Sequence, residues 1–172
     1  MKPQIAITMG DPAGVGPELC LRALQEPSIL NICNPVILGN TEILRQVAHC
    51  CNLPENFTVI SLPDWKDGRK VKSPIVVDFA DSELSAIESG KIYPACGRAA
   101  YRYIEEAISS AMLKNISGVV TAPINKEALN KGGIHSPGHT EIFTELTHAA
   151  RSCMMLTSPE ITTSFVTTHC GY

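Results

Sequence analysis

Short β-rich runs alternate with helical ones along most of this chain, and that alternation restricts its fold more than any other feature. Residues 4–9 (QIAITM) read as a strand and 10–16 as a glycine- and proline-rich turn. A helix over 17–25 is opened by Pro17, since the first helical position has no use for the missing N–H. A second strand at 35–39 (PVILG) precedes a helix capped by Thr41 that runs to about residue 51. Further strands are expected at 57–61 and 74–78, separated by a turn-rich surface loop at 63–73. Over 97–114, Ala100, Ile104, Ala107, Ile108, Ala111 and Met112 recur at helical spacing. A strand at 118–122 (GVVTA), a short helix capped by Asn125 and ended by Lys131-Gly132-Gly133, a loop at 132–138 and a helix from His139 to about residue 148 follow. This order predicts an α/β/α sandwich around a largely parallel sheet. The last two strands, 153–157 and 162–168, are joined by Ser158-Pro159-Glu160. A parallel crossover needs about a dozen residues or more, so this pair is antiparallel and the sheet is expected to be mixed.

The 172 residues, 44% hydrophobic and 18% charged, suffice for one compact body with a core, and no repeat or linker divides them. A net charge of -3 without a basic face argues against nucleic acid or an anionic membrane as the main partner. No stretch approaches the roughly 20 apolar residues of a membrane span, and the apolar run in MKPQIAITMGDP is too short for a signal peptide. The seven cysteines are odd in number, form no Cys-x-x-Cys and lie mostly in apolar or helical surroundings. They read as reduced core thiols, which places the protein in a reducing cytoplasm.

Chemistry concentrates in three places. In ITMGDPAGVGPE (residues 7–18) a dinucleotide fingerprint would need a glycine at position 19, where Leu19 stands, and no Gly-Lys-Ser/Thr follows to make a phosphate loop. Two readings stay open: a turn whose Asp11, Gly14 and Gly16 face an anion at a helix start, or a tight structural turn. In GVVTAPINKE (residues 118–127) Thr121, Asn125 and Lys126 stand beyond the carboxyl end of a strand, where ligands collect in open α/β sheets. Lys126 can hold phosphate or carboxylate as a point charge, or be a solvated helix-start lysine. His135 and His139 are four apart, yet Pro137 and Gly138 between them exclude a helical metal pair. His139 and Thr140 instead offer an imidazole and a hydroxyl at a helix N-terminus, suited to a hydroxyl, carboxylate or phosphate. His169 ends a strand, as a ligand or as a structural histidine; His49, beside Cys50 and Cys51, reads as structural.

Together, ITMGDPAGVGPEL, GVVTAPINKEAL, PGHTEIF and MML followed by FVTTH resemble, in order and over nearly the whole chain, the 4-hydroxythreonine-4-phosphate dehydrogenase family of vitamin B6 biosynthesis. The resemblance implies an isocitrate-dehydrogenase-like, two-lobed fold of which residues 1–172 form an N-terminal portion. It implies oxidation of 4-phosphohydroxy-L-threonine by NAD or NADP with a divalent metal (zinc, magnesium or cobalt), giving a 3-keto acid that decarboxylates. The family works as a homodimer with the active site at the interface. By the resemblance, His139 and Thr140 match the substrate-binding pair of the Gly-His-Thr-Glu motif, and His169 matches the first of three metal-binding histidines. The metal would act as a Lewis acid on the substrate hydroxyl.

The other two metal histidines do not occur within these residues, so the polypeptide alone is expected to lack appreciable dehydrogenase activity. Relatives commonly follow the metal histidine with an apolar residue and proline, where this chain has Cys170-Gly171-Tyr172. A related subgroup acting on four-carbon sugar-acid phosphates, such as erythronate or threonate 4-phosphate, is therefore the alternative substrate class. The rivals are a non-catalytic binding fragment that lacks the catalytic half and a phosphate acyltransferase of related fold.

Overall fold

Five strands, all parallel, form the sheet at the centre of the protein, whose computed structural model describes residues 2–68 and 74–166. The chain runs β1 (Gln4–Thr8), α1 (Gly16–Ala23), α2 (Pro27–Ile32), β2 (Asn34–Gly39), α3 (Thr41–Cys51), β3 (Thr58–Ser61), α4 (Leu62–Lys66) and β4 (Ile75–Asp78). It continues through α5 (Pro94–Met112), β5 (Gly118–Thr121), α6 (Lys126–Lys131), α7 (His139–Leu146), β6 (Met155–Thr157) and β7 (Thr162–Ser164). The sheet order is β3-β4-β2-β1-β5. Its inner strands carry continuous apolar runs, with Val36, Ile37, Leu38, Val76 and Val77 fully buried, as expected where helices cover both faces of a parallel sheet.

The direction of the crossovers decides which face each helix covers. From β1 the chain steps to β2 on one side; from β4 it steps back past β2 and β1 to β5 on the other. Right-handed connections in opposite directions put their helices on opposite faces. Accordingly α1 packs on α3, whereas α5 lies across β1, β2 and β5. On α5, Cys96, Ala99, Ala100, Tyr103, Ile104, Ala107 and Ile108 are buried, and the Tyr103 ring meets Phe79 edge-on at 4.8 Å. Trp65 of α4 is buried and donates its indole N–H to Ser110 Oγ at 3.0 Å.

The α/β architecture agrees with the expectation, and the mixed sheet is corrected. β6 and β7 do pair antiparallel, but they form a separate ribbon and leave the main sheet purely parallel. The long helix starts at Pro94, three residues before Gly97, because proline at its first turn needs no N–H partner. Two short helices were not anticipated: α2, capped by Glu26 on Ser28 N, and α4, capped by Ser61 Oγ on Asp64 N within the expected surface loop. The six cysteines among the described residues are all free; Cys20 and Cys96 are buried, but Cys50 and Cys153 are exposed, against the expectation of core thiols. No helix among the described residues is long and apolar enough to cross a membrane.

Candidate functional site

The sheet order makes β1 and β5 neighbours whose connections leave in different directions, and such a switch point opens a crevice beyond the strands' carboxyl ends. There the turns after the two strands touch. Asp11 N donates to the Pro123 carbonyl at 2.9 Å and Ala122 N to the Thr8 carbonyl at 3.0 Å. Gly10 has φ +71°, and a Cβ on it would lie 2.3 Å from the Pro123 oxygen. A Cβ on Gly16 would lie 2.0 Å from the Met9 oxygen, so this glycine sets the close approach of α1 to β1. Gly14 is less confined, its nearest neighbour being the Asp11 oxygen at 3.3 Å. Asp11 itself is buried, accepting from Ala13 N at 2.9 Å and from the Cys96 thiol. Burial raises its carboxyl above the ordinary range, and raises the Cys96 thiol to about 12. Asp11 and Gly16 thus serve the turn's internal packing, with the carboxylate facing the protein interior.

The other two motifs converge. A cavity of about 390 Å³ lies beside the turn after β5, with Pro123, Ile124, Lys126, His139, Thr140 and Met154 among its walls. Asn125 caps α6 by accepting from Glu127 N and Ala128 N, both at 3.0 Å, which fixes the backbone of Lys126 at the first helical residue. The lysine side chain passes over Gly138, where a Cβ would stand 4.0 Å from Lys126 Cε. Lys126 is exposed and joins no ion pair among the described residues. His139 and Thr140 are the first two residues of α7, whose N-cap Gly138 supplies no side-chain cap.

His139 is the most informative group here. Its Nε2 is buried without a hydrogen-bond partner, a state that ordinarily costs about 1–3 kcal/mol. Desolvation lowers its pKa below the usual 6.5, while the Ala122 carbonyl works in the opposite direction. The pocket therefore offers a free ammonium, an imidazole held toward its neutral form, the Thr140 hydroxyl and the uncapped N-terminus of a helix. That combination suits a polar ligand with an anionic group, because helix N-termini and a lysine point charge both favour negative charge.

Lys126, His139 and Thr140 thus line one pocket, whereas Asp11 and Gly16 of the glycine turn pack inward and Gly14 is exposed. Thr121 and Asn125 do not line this pocket: Thr121 borders a different groove, and Asn125 is used as a cap. Glu141 and Met154 do line it and were not foreseen. Glu141 carried a signal as the fifth residue of PGHTE; Met154 arrives only through the placement of the ribbon. His135 is exposed, with Nδ1 3.3 Å from Asn130 Oδ1, apart from the pocket. His169 lies outside the described residues. Among the described residues no group of three or more His, Cys, Asp or Glu side chains could hold a metal ion. A larger groove of about 570 Å³, bounded by Ile5, Ile7, Leu19, Ile32 and Val120, is apolar and offers no convergent polar groups.

Comparison with known proteins gives a consistent answer. Over 168 residues the chain is 36% identical to the 4-hydroxythreonine-4-phosphate dehydrogenase of Trichlorobacter lovleyi, covering 98% of this chain and 50% of that protein. It is equally, 36%, identical over 179 residues to an Oceanobacillus iheyensis protein provisionally named D-threonate 4-phosphate dehydrogenase, covering 99% of this chain and 51% of the other. The crystal structure of a 4-hydroxythreonine-4-phosphate dehydrogenase from Burkholderia phymatum superposes with a TM-score of 0.83 at 34% identity, over 99% of this chain and 51% of that one. The chain spans about half the length of the curated relatives it matches. Residues 31–172 match the family model described as pyridoxal phosphate biosynthetic protein PdxA, and the chain belongs to that family.

Proposed function

We propose that this chain supplies the substrate-binding side of a dehydrogenase that oxidises a phosphorylated four-carbon hydroxy acid, with 4-phosphohydroxy-L-threonine as the first candidate. One observation carries the proposal: His139, whose Nε2 is buried without a partner, lines a pocket together with Lys126 and Thr140. A substrate hydroxyl or carboxyl would satisfy that nitrogen, and Lys126 would hold a phosphate or carboxylate by its charge. Near neutral pH the lowered pKa of His139 keeps the imidazole able to accept a proton from a substrate hydroxyl. The relatives named for D-threonate 4-phosphate support a sugar-acid phosphate as the second candidate.

NAD or NADP as hydride acceptor, a divalent metal as Lewis acid, decarboxylation of the keto product, a role in pyridoxal phosphate biosynthesis and a cytoplasmic homodimer with the site between subunits belong to the same proposal. The described residues contain no three-ligand cluster for the metal, so they contribute the substrate side: they bind and orient the acid and its phosphate. His169 would be this chain's metal ligand. The polypeptide by itself is proposed to turn over no substrate.

Calorimetric titration with 4-phosphohydroxy-L-threonine and with D-threonate 4-phosphate tests the assignment. One of them should bind. His139→Ala and Lys126→Ala should each weaken that binding by about 10- to 150-fold, the worth of a hydrogen bond to a charged group. Binding that survives both substitutions unchanged would remove the pocket from the site.

A further inference from the structure

A groove of about 310 Å³ lies between the glycine turn and α3, and two adjacent thiols, Cys50 and Cys51, line it together with Val15, Val47 and Ile87. Both cysteines are free, Cys50 exposed and Cys51 half-buried. They are the last two residues of α3, which Asn52 closes in the left-handed conformation, its N–H on the Ala48 and His49 carbonyls. The helix therefore fixes both backbones. Consecutive Cα atoms lie about 3.8 Å apart, short of the roughly 4.4–6.8 Å that disulfides usually span, so the helix holds the pair as a dithiol. A larger atom can still bridge it.

The surroundings select that atom. A structural zinc takes four protein ligands, and among the described residues no third His, Cys, Asp or Glu joins the two thiols in a group that could hold a metal ion. The pair suits a soft centre that needs only two thiolates and brings its remaining substituent with it. Trivalent arsenic bearing one organic group is such a centre, and the apolar side chains of Val15, Val47 and Ile87 give that group a seat.

We propose that Cys50 and Cys51 form a binding site for mono-substituted trivalent arsenicals, R–As(OH)2, with arsenic bridging the two sulfurs and R held in the groove. Each sulfur gives an electron pair to arsenic, and each thiol proton leaves with an arsenic-bound hydroxyl as water. Two As–O bonds break, two As–S bonds form, and arsenic stays trivalent throughout. The groove shares no residue with the pocket of His139 and Lys126, so the inference is independent of the proposed substrate.

Intact-mass measurement of the full chain, treated with phenylarsine oxide in excess glutathione, tests it. One phenylarsenic group per chain should be retained, on the peptide carrying Cys50 and Cys51, and 2,3-dimercaptopropanol should remove it. Cys50→Ser and Cys51→Ser should each weaken retention about 100-fold, the loss of the second, intramolecular attachment, with the Trp65 melting curve unchanged. Cys153→Ser, at the other exposed cysteine among the described residues, should retain the adduct. The folded chain should also prefer the phenyl over the methyl arsenical about tenfold more strongly than a peptide of residues 45–56 does, through apolar contact in the groove. Clearance of the wild-type adduct by glutathione, retention by both serine variants, loss in Cys153→Ser, or a phenyl preference no greater than the peptide's would each overturn the inference.

Discussion

Gly16 leaves no room for a side chain, since the added Cβ would press on the main-chain oxygen of Met9, just past β1, which has no rotamer to escape into. Gly16→Ala is expected to cost about 3 kcal/mol through forced displacement of α1, a fall in melting temperature of roughly 6–12 °C for a chain of this size. Gly14→Ala should cost less than half as much, because its Cβ would meet only Asp11, no nearer than 3.3 Å. Equal losses would show that the turn, rather than the helix–strand contact, sets the requirement. At His139 the residue-scale effect is a pH dependence. Its folded pKa lies below 6.5, so as pH falls through that value the unfolded chain takes up the proton first and native stability declines until the folded pKa is passed. Relative to His139→Gln, the wild type should therefore lose stability between pH 7.5 and 5.5, as read from denaturant midpoints at the two pH values. A difference that does not change with pH would mean that the imidazole is as well solvated in the native state as in the unfolded chain.

Among the elements, α6 shows how a short helix can hold a side chain in place. At six residues it is too short to persist by itself, and two things keep it: the Asn125 cap and its packing on α5. Gly97 permits that packing, for a Cβ there would lie 2.1 Å from the Ala128 oxygen. Asn125→Ala should cost about 1 kcal/mol of stability and weaken ligand binding by freeing the Lys126 turn, whereas Asn125→Asp keeps both; calorimetry and thermal melting read the two effects together. If Asn125→Ala lowers stability but leaves binding untouched, Lys126 is not positioned by the cap. The Asn125 cap was legible in the sequence because capping is local chemistry, as were the strands VIL and IVV, whose apolar runs admit few alternatives. The close approaches at Gly16 and Gly97 were not, since a glycine's partner lies elsewhere in the chain. The helix α2 went unread because six residues give no apolar periodicity, and α4 because Pro63 and Asp64 look like turn residues until Ser61 is seen to cap them. The motif Pro-Gly-His-Thr-Glu showed that His139 and Thr140 would share a helix start. Only the fold could bring Lys126 over Gly138, and the inward turn of Asp11 depended on a contact with Cys96, 85 positions away in sequence.

For the molecule as a whole, the position of β5 at the edge of the sheet dominates the surface. A parallel sheet is ordinarily buried on both faces, yet beside β1 and β5 an apolar groove stays open, with Leu19 of α1, Ile32 of α2 and Val120 of β5 on its walls. Val120 is 52% and Ile32 71% exposed. An apolar concavity of this kind binds hydrophobic dyes, so the native protein should enhance the fluorescence of anilinonaphthalene sulfonate in the absence of denaturant. Substituting Ile32→Ser together with Val120→Thr should lower that signal while changing stability by no more than about 0.5 kcal/mol per site, the range of surface positions. Were these side chains part of the core, the same substitutions would remove buried area and together cost about 2 kcal/mol or more. Parallel measurement of dye fluorescence and of the Trp65 melting curve distinguishes the two cases. A large stability loss with an unchanged dye signal would mean that the groove is closed in solution and that the sheet's β5 side is covered.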